Sequence, residues 1–151
     1  GIQAVACSGG QNSGVLDTAD PPPSEWADET KLEVAVQVLM KPTEARPALA
    51  GDTLHAFALA TASSPLAIAS AFTFACPAVT VLTRAEMRSG KAGAVQVYSR
   101  VGFNRTGNQA LVFFSSARAQ PGGRGSSETF LFLTKPSGRW VVVGGMPWAI
   151  A

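Results

Sequence analysis

The chain has 151 residues, 46% of them apolar, and a net charge of +2 from twelve Lys/Arg against ten Asp/Glu. That length suits one domain with one sound core, and that apolar content favours a folded chain over a disordered one. No apolar run reaches the roughly 18 residues of a membrane span. Residues 53–82 carry no Asp, Glu, Lys or Arg, but His55, Ser63-Ser64-Pro65 and Cys76-Pro77 break them into short elements.

The charge is unevenly spread. Residues 1–83 hold Lys31, Lys41 and Arg46 against eight acids, whereas residues 84–151 hold nine Lys/Arg against Glu86 and Glu128. A basic half attracts phosphate, nucleic acid or anionic glycans. Here no Lys/Arg cluster is dense and no aromatic–basic interleaving matches a nucleic-acid module, so no nucleic-acid partner is expected. An acidic cover packed beside a basic sheet is the simpler account.

Residues 1–23 read as a flexible leader or tether ahead of a single domain over 24–151. Ala4 and Ala6 flank Val5 directly before Cys7, as at a lipoprotein cleavage site, although Leu is usual where Ala4 stands. The polar, Gly-rich stretch 8–14 fits the tether that follows a lipidated Cys. A diacylglycerol on Cys7 would turn a soluble domain into an anchored one. The alternatives are an idle Cys at a chain end, or a disulfide to Cys76, the second Cys. With no CxxC and no clustered His/Cys, no metal and no cofactor are expected.

After the stiff Asp20-Pro-Pro-Pro-Ser24 spacer, a helix is predicted over about 24–41. Ser24 is its N-cap candidate, and Glu25, Asp28 and Glu29 suit the positive end. Leu32, Ala35, Val36, Leu39 and Met40 share one helical face. Leu32, Val34, Val36, Val38 and Met40 also alternate as in a strand. The acidic start, Lys41 near the end and Pro42 beyond it decide for helix. Residues 44–51 read as a loop. Residues 53–61 read as a strand burying Leu54, Phe57 and Leu59. Residues 67–75 fit a buried strand or a short helix, residues 79–82 are short and apolar, and residues 83–88 suit one helical turn.

From 94 to 150 an antiparallel meander is predicted. Val95 and Val97 alternate with polar neighbours. Residues 104–108 turn, and residues 110–114 are apolar enough to be covered on both faces. Residues 120–127 (QPGGRGSS) are expected to be a mobile loop. In the next strand Phe130 and Phe132 point opposite to Leu131 and Leu133. Pro136-Ser137-Gly138 is a tight turn. Residues 140–143 form the last strand, bent near Gly144, Gly145 and Pro147. The fold class is therefore α+β: an antiparallel meander over about 94–150, covered by the helix at about 24–41.

Ser99-Arg-Val-Gly-Phe-Asn104, Gln109-Ala-Leu-Val-Phe113, Phe130-Leu-Phe-Leu-Thr-Lys135 and Ser137-Gly-Arg-Trp-Val141 resemble, in order and spacing, a run found in uncharacterised bacterial secreted proteins and lipoproteins. The likeness covers about the last third of the chain. It implies a small α+β domain, favours the helix at 24–41, and brings no catalytic residue.

Arg100 interrupts an apolar strand, so it either pairs with an acid of the covering helix or presents its guanidinium to a ligand. The glycines around Arg124 can cradle an anion through backbone amides, but they lack the ending of a phosphate loop, and a hairpin connection is the plainer account. Among Trp26, Trp140 and Trp148, the last follows Gly-Gly-Met-Pro and is the better surface candidate, with Trp140 assigned to the core. His55, with Asp52 nearby and a Ser such as Ser99 brought close by folding, could form a nucleophilic triad, but no Gly-x-Ser-x-Gly elbow supports it. Asp52, Glu86 and Glu128 are the carboxylates for any acid–base pair, and solvated charge is their simpler role. Asn104-Arg-Thr106 is a formal glycosylation triplet, read as chance. The expectation is a non-enzymatic module of the bacterial cell envelope, lipid-anchored or secreted, that binds an unknown protein or envelope component. The alternatives are a small hydrolase using His55 or a carboxylate, and a subunit of a larger extracellular assembly.

Overall fold

The computed structural model describes residues 13–16, 18–19, 27–39, 41–44, 46–63, 66–67, 80–89, 93–120 and 123–150. The elements are β1 (Ser13–Leu16), β2 (Thr18–Ala19), α1 (Glu29–Leu39), α2 (Gly51–Ala62), β3 (Leu66–Ala67), β4 (Thr80–Leu82), α3 (Arg84–Arg88), β5 (Ala94–Tyr98), β6 (Gly102–Phe103), β7 (Gln109–Gln120), β8 (Gly123–Thr134) and β9 (Val141–Ile150). A 3-10 turn, Pro136–Gly138, joins β8 to β9. The main sheet runs β4-β1-β5-β7-β8-β9, with β6 also on β7, and β2 and β3 form a small antiparallel pair.

The meander is present and antiparallel: β5, β7, β8 and β9 pair in sequence order. Its centre is apolar on both faces, because successive strand residues point to opposite sides. Leu111, Phe113, Phe130 and Phe132 join Leu32, Val36, Leu54, Phe57 and Ala58 of the helices in one core. Ala110, Val112, Leu131 and Leu133 form a second cluster on the other face, with Tyr98, Val101, Phe114 and Trp140 packed on it. Phe130 sits edge-on to both Phe57 and Phe113, at 5.9 and 5.0 Å between ring centroids, a geometry that aromatic quadrupoles favour.

Three expectations need correction. Residues 53–61 lie in a helix, α2, not a strand. Leu54, Phe57, Ala58 and Thr61 fall at i, i+3, i+4 and i+7 and are buried, while Leu59 is 58% exposed. Alanine at 56, 58, 60 and 62 costs a helix nothing in side-chain entropy. The expected mobile loop at 120–127 is mostly ladder: β7 runs to Gln120 and β8 starts at Gly123, leaving two residues between. Small polar side chains there make no apolar pattern, and the backbone bonds carry the pairing. Ser13–Leu16, expected within the tether, is β1, and it pairs in parallel with both β4 and β5. Residues 1–12 and 20–26 lie outside the described residues.

The covering helix at 24–41 is α1, and it starts at Glu29. Asp28 caps it: its carboxylate accepts from the amides of Thr30 and Lys31 at 3.1 and 3.3 Å, the geometry of an N-cap. The proposed cap Ser24 lies outside the described residues. Helical rather than alternating burial settles the ambiguity: Leu32 and Val36 are buried and Val34 is 59% exposed. The turn at 83–88 is α3, closed by a capping box in which Thr83 and Glu86 satisfy each other's backbone amides. In β9 the register shifts opposite Phe132/Leu133 and Glu128/Thr129 leave Val143 and Trp148 as the extra residues, so the bend expected near Gly144 is a pair of bulges.

The helix layer meets the sheet most closely at Gly102. A Cβ there would lie 2.5 Å from the Phe57 Cα, inside the backbone of α2. Gly102→Ala is expected to cost about 3 kcal/mol or more, because neither backbone can give way. Urea denaturation measures it, and a loss below about 0.5 kcal/mol would contradict this packing.

Candidate functional site

Ser99, Asn104 and Gln109, with Asp52, form a polar knot between the sheet and α2. Ser99 is buried. Its backbone amide donates to the Phe113 carbonyl, its hydroxyl accepts from the Phe113 amide at 3.0 Å and that hydroxyl donates to the Arg100 carbonyl at 2.8 Å. Asn104 closes the β6–β7 turn: its side-chain oxygen accepts from the amides of Asn108 and Gln109, both at 2.9 Å. Gly107 supplies the positive φ of 68° that the turn needs. Gln109 then crosses to the helix layer. Its side-chain oxygen accepts from the Ala50 amide at 2.9 Å and the Thr53 hydroxyl at 3.3 Å, while its amide nitrogen donates to the Ala48 carbonyl at 3.1 Å. Ala50, the N-cap of α2, has no side chain for the task, so Gln109 caps the helix from β7. Asp52 completes the seam by accepting from the Arg105 amide at 3.0 Å.

These bonds decide what several candidate residues can do. Ser99 and Asp52 hold backbone in place, and the Glu86 carboxylate accepts from the Thr83 amide in the α3 cap. His55 is more than half exposed on α2, and its Nδ1 meets Glu29 of α1 at 2.8 Å. It faces Glu29 rather than Asp52, so the Ser99–His55–Asp52 triad does not assemble. Arg100 is half-buried in the connection between β5 and β6. Arg124 sits opposite Ala119, six residues along β7 from Phe113, or about 20 Å. The side chains of Arg124 and Trp148 are outside the described ones, as are Cys7, Cys76 and Trp26. Among the described residues no group of three His, Cys, Asp or Glu could hold a metal, and no helix is long and apolar enough to cross a membrane.

Two surface features were not anticipated from the sequence. One is a cleft of about 330 Å³ between α1 and α2, lined by Glu33, Val36, Pro42, Ala48, Leu49, Gly51 and Leu54. The other is at the end of the sheet where β6 and β9 begin. Phe103, Ala110, Leu133 and Val142 form one row across four strands. The two inner members are buried, whereas Phe103 and Val142 are 47% and 41% exposed, and neighbouring Val141 is 45% exposed. Trp140 packs on this row with its ring 5.6 Å from Phe103, and the Lys135 ammonium lies 5.5 Å from the indole centroid. The Lys135 amide donates to the Asn108 carbonyl at 2.9 Å, so the loops at 104–108 and 135–139 are joined. The signal in the sequence was the uncharged Val141-Val142-Val143 run on the strand that ends the sheet.

On the same face, Tyr98 stacks on Phe114 at 5.6 Å and donates to Gln96 Oε1 at 2.8 Å. Burial pushes its phenol up to about 12 from 10.0. No family model, curated protein or solved structure matches this chain.

Gln109→Leu leaves the first turn of α2 without its cap and is expected to cost about 1–3 kcal/mol. Hydrogen exchange should show the amides at 50–54 losing protection while β7 and β8 keep theirs, and unchanged exchange there would refute the cap. A raised phenol means the unfolded chain deprotonates first, so the stability that neutral Tyr98 contributes is whole below pH 10 and is lost as pH rises to about 12. Tyr98 is the one tyrosine, so phenolate absorbance reads it directly. Titration near pH 10 in a still folded protein would contradict its burial.

Proposed function

We propose that this chain is a non-enzymatic module of the bacterial cell envelope, tethered through a lipid on Cys7 and acting through its surface. The observation that carries the reading is the fate of the polar motif residues. Ser99, Asn104 and Gln109, with Asp52, hold α2 on the sheet, so these polar residues build a scaffold. A scaffold built this way leaves its exposed surfaces to do the work. The envelope location comes from the likeness to secreted proteins and lipoproteins, and from the small residues before Cys7.

A hydrolase built on His55 is the second reading, favoured by the 2.8 Å bond to Glu29, which would orient the ring. Against it, the ring is more than half exposed, and water there screens the charges that acid–base chemistry uses.

Mass spectrometry of the native protein from bacterial envelopes tests the proposal. The expected result is an N-terminal Cys7 carrying diacylglycerol, with the protein partitioning into detergent. A free Cys7 thiol behind an uncut leader would end the anchor reading.

A further inference from the structure

We infer that the sheet end around Phe103, Trp140 and Val142 is a docking surface for an anionic lipid bilayer. It rests on the envelope reading for the membrane, but its chemistry stands on separate residues. The exposed side chains are apolar and aromatic: Phe103 and Val142, with half-buried Trp140 beside Phe103. Aromatic and aliphatic groups of this kind enter the boundary between headgroups and acyl chains.

The rim is cationic. Arg105 lies on the 104–108 loop, Lys135 and Arg139 lie on the 135–139 loop, and all three are exposed. Among the described residues, Asp52 brings a carboxylate to this end, and it is held on the Arg105 amide. Glu128 is six residues up β8 from Thr134, about 20 Å away. An apolar centre inside a cationic rim complements a surface that is greasy within and negatively charged outside. Lys and Arg suit such a rim because their stems lie along apolar surface while their heads stay in water.

Ser13 pairs with Ala94, and Ala94 with Arg118, eight residues along β7 from Ala110, or about 26 Å. The patch therefore lies at the far end of the sheet from the start of β1, and its binding to a bilayer does not depend on a lipid at Cys7.

The test uses the full chain carrying Cys7→Ser, so that no lipid anchor contributes. Cosedimentation is measured with vesicles of phosphatidylglycerol and phosphatidylcholine, and with phosphatidylcholine alone. The expected result is binding to the anionic vesicles that weakens with salt, with about fivefold loss of affinity for each of Lys135→Gln and Arg139→Gln. Phe103→Ser and Val142→Ser are each expected to lose roughly tenfold, with urea denaturation confirming that they fold. Arg84→Gln with Arg88→Gln, on α3, should change binding less than twofold. Absent binding, or equal losses from the α3 and sheet-end variants, would overturn the proposal. So would a protein captured by the patch while vesicles are ignored, which would make the surface a protein interface. Because Cys7 is removed here, failure of this docking and failure of the anchor are read separately.

Discussion

No side chain fits between the backbones of β6 and α2. Gly102 abuts Phe57, and that contact fixes how deep the helix layer sits. Phe57 then reaches Phe130, Phe130 reaches Phe113, and Leu32 and Val36 of α1 close the same core from outside. A larger residue at 102 would lift α2 and open the aromatic stack beneath it. The hydrogen bonds of Gln109, Asn104 and Asp52 surround this contact and set the helix along its own axis, so steric fit and polar pairing specify one docked position.

The layered plan was legible where periodicity was strong. Phe130 and Phe132 against Leu131 and Leu133 announced a strand buried on both faces, and their partition between two clusters follows that alternation. The 53–61 segment misled because Ala, Leu and Phe alone do not separate a buried helix from a buried strand. Thr61 and the outward Leu59 carried the helical spacing. The hairpin beyond Phe114 was hidden because Gly and Ser resemble a loop until a partner strand pairs with them. Four residues, Ser13–Leu16, were too few to signal a central strand.

The polar seam was the least legible part. Gln109 and Ala50 are 59 residues apart, and nothing in either neighbourhood announces the other. A glutamine opening an apolar strand looks like a solvated end. Only the fold gives it a helix amide to satisfy, and buried amides must find some partner. The same holds for Asp52, a nominal acid–base candidate that serves as an acceptor for backbone. The exposed surfaces were hidden for another reason: an apolar run such as Val141 to Val143 does not show by itself that its strand, β9, ends the sheet's strand order.

β1 lies between β4 and β5, with Gly14 opposite both Thr80 and Val95. Such distant partners make β1 entropically expensive to recruit, since loop closure precedes any reward. During synthesis β1 must wait for residues past 90 to leave the ribosome before its second neighbour exists. The meander, built from consecutive strands, has no such delay. Folding should therefore proceed from the carboxyl-terminal side backwards, with the amino-terminal strand inserted last and released first.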